Sequence, residues 1–215
     1  MNKHKNKLIA FGTTDSQWTG VFQQIERISS VKIGYITCMQ KRFTAYQNAF
    51  PNVICHRLSD AIKGISPPEI NSQGHKPNSK IKKIIAEYRP IALKMLDRLE
   101  TWERKISEKE RIEHFDKLVS YWDFVLENLS PSIAFFPITP HACYDYVAYE
   151  LCKAKGIPTI ICERTGLPSR VVFLNSYQQT CLSASVLKSG TEKKYSENLP
   201  QDLADYLVAL RSKDS

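Results

Sequence analysis

The sequence predicts an α/β fold in which a doubly wound parallel sheet carries a long helical insertion. Three observations predict it. Short apolar runs end on turn residues, as buried strands do. Residues 132–162 read as strand, helix, strand with tight connections, a βαβ unit that requires parallel strands. Before them, residues 81–129 repeat apolar side chains at three- and four-residue steps, the mark of amphipathic helices.

The elements follow in order. Lys7 to Phe11, closing on Gly12, is a buried strand, and Asp15 to Ile28 a helix with Val21, Phe22, Ile25 and Ile28 at helical spacing. Val31 to Cys38 is a second strand, and Val53 to His56, after the Pro51-Asn52 turn, a third. Residues 64–79 concentrate Gly, Pro, Asn and Ser and read as a loop or mobile insertion. One long helix is expected from Ile81 through Tyr88, Leu96, Leu99 and Trp102 to Ile106, kinked near Pro90. A second is expected from about Glu110 to Leu129, its aromatic stripe facing the core. Ser132 to Phe136 is a strand, Thr139 to Lys155 a helix, and Thr159 to Cys162 the next strand. Val171 to Leu174 is a candidate further strand, and Gln201 to Arg211 a short helix. The expected organisation is one Rossmann-like unit over 1–175, with 64–130 as loop plus helical insertion. A polar extension over 176–215 follows.

Composition narrows the function. The 215 residues, 42% of them hydrophobic, suit one sizeable globular core. Apolar stretches of about five residues fall far short of a membrane span, and the basic start lacks the long apolar region of a signal peptide. A cytoplasmic location is the expectation. The six cysteines form no C-x-x-C pair and sit in apolar runs, so they read as reduced, buried small hydrophobes, with no metal site. A net charge of +8 suits an anionic partner, but 11 bases and seven acids share residues 76–114 as a solvated helix face would. No basic run is interleaved with aromatics, which argues against nucleic acid as the partner.

In a doubly wound sheet, ligands bind beyond the carboxyl ends of the strands where the strand order reverses. With the first and fourth strands adjacent, that rule selects the loops Gly12 to Gly20 and Pro137 to Asp145. In the second, Thr139 is read as N-cap, Pro140 as first helical residue and His141 as first-turn residue, with Asp145 four positions on, on the same face. Such a pair can supply a general base: the carboxylate orients the imidazole, while the helix N-terminus keeps it neutral. Equally, His141 can pack locally while Asp145 complements the helix dipole. Glu163, Arg164, Thr165 and Gly166 follow the next strand, where the charged pair can hold sugar hydroxyls and a carboxylate or phosphate, or form one salt bridge. Gly166 would permit a close turn. In the first loop, Asp15 and Ser16 can contact a sugar and Trp18 can stack on one. No G-x-G-x-x-G or P-loop run is present. His56, His75 and His114 receive no role.

The frame L-S-P-S, P-x-T-P-H-x-x-x-D-Y, G-I-P-T and E-R-T-G resembles the amino-terminal domain of GT-B-type glycosyltransferases, most of all those of bacterial capsule and surface-polysaccharide synthesis. It also resembles the sugar-nucleotide 2-epimerases. The likeness spans residues 118–174 and is topological over 1–60. Ser132 stands where the epimerase-like frame has Asp, and no glycine-rich loop follows the first strand beyond Gly12 and Gly20. The resemblance implies an acceptor-binding half, with His141 and Asp145 on the base-bearing loop and Glu163 and Arg164 on the next crevice loop. It implies no resident cofactor: a nucleotide sugar is co-substrate, bound mainly by a carboxyl-terminal domain or partner chain, since no second Rossmann-like half follows residue 175. The implied partners are that nucleotide sugar and a saccharide or lipid-linked acceptor, at the inner face of the membrane. The alternatives are a non-catalytic module binding a phosphorylated sugar or a partner protein, and a 2-epimerase-like fragment.

Overall fold

A computed structural model describes residues 6–99, 105–167, 170–180 and 200–212. Its frame is a six-stranded sheet in the order β3-β2-β1-β4-β5-β6. Strands β1 (Lys7–Thr13), β2 (Lys32–Cys38), β3 (Ile54–Arg57), β4 (Ile133–Phe136) and β5 (Thr159–Arg164) are parallel. The order reverses between β1 and β4, which pair directly through Leu8–Ile133, Ile9–Ala134 and Ala10–Phe135. This is the Rossmann-like doubly wound arrangement, and the expected switch point lies where it was placed. The one departure from parallel pairing is β6 (Val171–Leu174), which folds back antiparallel on β5 and forms the sheet edge.

A parallel strand buried on both faces needs apolar residues at every position, and β1 shows why. Ile9 and Phe11 enter the core beneath the insertion helices, while Leu8 and Ala10 enter the core on the opposite side with Phe22 and Tyr46. That second layer is α1 (Gln17–Ile28) and α2 (Gln40–Ala49). A short α3 (Leu58–Ile62) follows β3.

The insertion differs from the expected single kinked helix. It divides into α4 (Ser79–Ala86) and α5 (Arg89–Met95), followed by a 3-10 turn at Leu96–Leu99. Pro90 causes the break: it lacks the N–H that would bond the Ala86 carbonyl, and its ring clashes with the preceding turn. Trp102 lies outside the described residues. The next helix, α6 (Glu108–Leu129), starts two residues before the expected Glu110 because Ser107 caps it. Ser107 Oγ accepts from the Glu110 N–H, and Glu110 Oε2 accepts from the Ser107 N–H at 2.8 Å. The 64–79 loop has no helix or strand before Ser79, which opens α4, and is anchored, with Pro67, Ile70 and Pro77 buried.

Helix α7 (Cys143–Ala154) begins four residues later than read from Thr139. Its N-cap is Ala142, so Thr139 is no cap, Pro140 no first helical residue, and His141 stands just ahead of the helix. Asp145, at the third helical position, sets this start by accepting the Ala142 N–H at 2.8 Å. The short helix at Gln201–Arg211, α8, lies where expected, and Asp202 ties it to Arg170 through two 3.0 Å bonds.

The five cysteines among the described residues are free and buried. Burial pushes the thiols of Cys38 and Cys143 up to about 12 and that of Cys55 to about 11. All three are protonated thiols at neutral pH, poor nucleophiles and poor metal ligands.

Candidate functional site

The carboxyl ends of β1 and β4 open a cleft of about 470 Å³. The strand order selects its position, and the loops after β1 and β4, Arg164 at the end of β5, and Leu58 and Ile62 of α3 supply its walls. Phe11 and Phe136 stack beneath it with ring centroids 4.7 Å apart and planes 6° from parallel. Rigid aromatic packing thus supports a polar rim.

Gly12 fixes the cleft floor. Its φ of +65° lies in the left-handed region, and a Cβ there would sit 2.9 Å from the Tyr144 hydroxyl. The Gly12 N–H donates to Thr37 Oγ1 at 2.5 Å, and Thr13 Oγ1 donates to the Thr37 carbonyl at 3.0 Å. The end of β1 is therefore tied to β2 while the first turn of α7 presses on it. Only glycine has both the conformation and the space.

Of the residues singled out from sequence, Asp15, Trp18, His141, Asp145 and Arg164 line this one cleft. Trp18 does so half-buried, its ring edge-on to Phe135 at 4.9 Å, so the face proposed for stacking is partly spent on core packing. Ser16, Thr139, Glu163, Thr165 and Gly166 are not among the lining residues. Ser16 is the exposed N-cap of α1, where its side chain makes no capping bond. Thr139 and Glu163 hold each other: the carboxylate accepts from the Thr139 N–H at 3.0 Å and from its hydroxyl. Thr165 Oγ1 serves the turn into β6, accepting from the Leu167 N–H and donating toward the Leu167 and Arg170 carbonyls. Gly166 is exposed with an ordinary φ, so the turn does not depend on glycine.

The alternative of a Glu163–Arg164 salt bridge is not what forms. Successive strand residues point to opposite faces, so Glu163 turns to Thr139 and Arg164 to Asp15, 2.6 Å away. The two charges serve different loops.

His141 and Asp145 come together, but not through the carboxylate-to-imidazole bond read from their spacing. The imidazole Nδ1 lies 3.0 Å from the Thr139 carbonyl, to which it donates. A carbonyl rather than a carboxylate thus orients the ring, and Nε2 becomes its basic nitrogen. Asp145 is turned to the helix start. Burial pushes its carboxyl up to about 6, against the Ala142 N–H and the charge of a protonated His141, which both pull it down.

The sign of the resulting pH dependence follows. The native state holds the Asp145 proton more tightly than the unfolded chain, so this contribution to stability is complete below about pH 4. It is lost as pH rises through about 6. Carboxyl carbon shifts in an NMR titration should give a midpoint near 6, moving upward when His141→Ala removes the imidazolium charge. A midpoint near 4 in both proteins would mean that water reaches the carboxyl.

Two polar clusters away from the cleft had no role from sequence. His56 is buried, its Nε2 donating to the Ile65 carbonyl at 2.8 Å and its Nδ1 accepting from the Tyr35 hydroxyl at 2.5 Å. Burial lowers its pKa, which keeps it neutral. His75 reaches the buried Asp123 at 2.7 Å, and the Lys155 ammonium lies 2.6 Å from Asp123 and 3.0 Å from Glu127. His75, Asp123 and Glu127 have the ligand types of a metal site. Lys155 already brings a cation to both carboxylates there. The only sequence signal was a carboxylate set between Trp122 and Phe124 in an apolar helix face.

Fold and cleft together define a Rossmann-like α/β protein with a polar switch-point site. No family model and no curated protein matches the chain. Among solved structures it is similar to the UDP-GlcNAc 2-epimerase from Neisseria meningitidis bound to UDP-GlcNAc, at 14% identity and a TM-score of 0.35, over 76% of this chain and 33% of that one. It is also similar to a CDPS from Fluoribacter dumoffii, at 12% identity and a TM-score of 0.35, over 79% of this chain and 90% of that one. The chain spans about a third of the length of the epimerase chain.

Proposed function

We propose that this chain is the acceptor-binding half of a nucleotide-sugar-dependent glycosyltransferase of bacterial surface-polysaccharide synthesis. The observation that carries the reading is the placement of His141. It stands on the rim of the switch-point cleft with Nδ1 donating to the Thr139 carbonyl, beside Asp145. In the proposed reaction Nε2 takes the proton of an acceptor hydroxyl as its oxygen attacks the anomeric carbon of the donor sugar. The bond from that carbon to the nucleotide phosphate oxygen breaks, and the nucleoside diphosphate leaves. Asp145 steadies the imidazolium by charge, Glu163 holds the Thr139 segment that orients it, and Trp18 and Gly12 shape the acceptor side. A second Rossmann-like unit, in a partner or in the same gene product, is assigned the nucleotide.

The setting proposed is the inner face of the membrane with a saccharide or lipid-linked acceptor. Exposed Lys80, Lys82 and Lys83 on α4 supply a basic face for it. No described helix is long and apolar enough to cross a membrane. The binding-only alternative draws support from Asp145, whose carboxylate caps α7 instead of gripping the imidazole.

An NMR titration tests the reading. A saccharide acceptor should shift the amides of Gly12, Asp15 and His141, while a nucleotide sugar alone should bind no tighter than about 1 mM, the weak end of the affinity scale. Tight nucleotide-sugar binding with no response to saccharide would overturn the assignment of halves. Saccharide binding with no turnover in the intact gene product would favour the binding module.

A further inference from the structure

The ion pair that crosses the cleft has a ligand-like partner built into it. Arg164 at the end of β5 and Asp15 after β1 are 149 positions apart in the chain, yet their side chains meet at 2.6 Å. Both remain open to solvent, at 70% for Arg164 and 41% for Asp15. An exposed pair of this kind is worth about 0–1 kcal/mol, little enough to be exchanged for something better. Arg164 is also a permanent cation, since a guanidinium stays protonated at any physiological pH. The neighbouring carboxylate of Glu163 does not neutralise it, being turned to Thr139 on the other face of the strand.

We infer that the cleft takes a phosphorylated saccharide, and that its phosphate displaces Asp15 from Arg164. This rests on the reading of the cleft as a saccharide site and names the chemistry of its ligand. Asp15 is a tethered monoanion, so a ligand carboxylate would exchange like for like and gain little. A phosphate monoester brings close to two charges and three acceptor oxygens, and pairs with a guanidinium through two parallel bonds. The opposite wall suits an anion too: α1 enters the cleft without a side-chain cap and with no acid in its first turn. On this account Asp15 occupies the phosphate position until a phosphate takes it, and neutral sugars, which cannot evict it, bind only on the side of Trp18 and His141.

Titrations with glucose 1-phosphate, inorganic phosphate and methyl glucoside test this, using the wild type, Asp15→Asn and Arg164→Gln. Both positions are exposed, and thermal melts of the variants verify folding. Removing the competing charge in Asp15→Asn should tighten glucose 1-phosphate about 3–10-fold, and Arg164→Gln should weaken it about 10–100-fold, as loss of a charge-assisted bidentate pair does. Methyl glucoside should respond less than glucose 1-phosphate in both, since no charge contact to it is lost. If methyl glucoside binds but Arg164→Gln leaves glucose 1-phosphate unchanged, or Asp15→Asn weakens it, the displacement is wrong while the saccharide site stands. If both phosphates respond to Arg164 and no sugar contributes affinity, the phosphate position stands and the saccharide reading falls. Inorganic phosphate binding as well as glucose 1-phosphate, with methyl glucoside still bound, would place the two groups in separate sites and overturn the inference.

Discussion

Asp123→Ala should lower the unfolding free energy by about 3–5 kcal/mol, the usual cost of stripping one partner from a buried ion pair. The carboxylate has no exposed side-chain surface, and it is shared by Lys155 at 2.6 Å and His75 at 2.7 Å. Burial works against the charge on Lys155, yet Asp123 and Glu127 together keep its pKa raised. Without Asp123 the ammonium, only 14% exposed, keeps just the partly exposed Glu127. The penalty is therefore the stranded cation more than the lost bond. Replacing both charges, as in Asp123→Ala with Lys155→Met, should restore more than half of the loss, since no unpaired buried charge then remains. Urea unfolding measures both. The single variant should also speed amide exchange across residues 70–77, because His75 is the loop's tie to α6. A loss under about 1 kcal/mol would show the cluster to be as weak as a surface pair.

That cluster marks the boundary of what the sequence could show. Strand β1 was legible because a parallel strand between two helical layers needs an unbroken apolar run, and Leu8 to Phe11 is one. The switch point followed from counting strands in order, and with it the cleft. What was not legible depended on which of two local rules wins. Thr139-Pro140 has the pattern of an N-cap and first helical residue, but Asp145 takes the Ala142 N–H and Glu163 takes the Thr139 donors, so the helix starts later. The Glu163 donors lie 24 positions away, outside any capping rule. Glu163 and Arg164 look like one pair in sequence and are separated by the pleat of the strand. Asp123 and His75 are 48 positions apart, and Asp15 and Arg164 are 149. Only the closed sheet brings them together.

His141→Ala should reduce sugar transfer by the intact gene product about 10²–10⁴-fold, the range over which a positioned general base contributes. The loss should fall on kcat with KM nearly unchanged, because the proton is taken only as the acceptor oxygen attacks. Nothing in the fold should suffer, as His141 is exposed and precedes α7, whose start is fixed by Asp145. This separates the role from a structural one, which would raise KM or lower the melting temperature. The Asp145 titration should remain visible in the carboxyl shifts of His141→Ala, which shows the helix start intact where transfer is lost. Asp145→Asn should act differently. It removes the charge that steadies the imidazolium, while its amide oxygen can still accept the Ala142 N–H, so activity falls and stability at neutral pH is held or raised by loss of the buried charge. Full transfer activity in His141→Ala would remove the imidazole from the reaction and leave the cleft as a binding site.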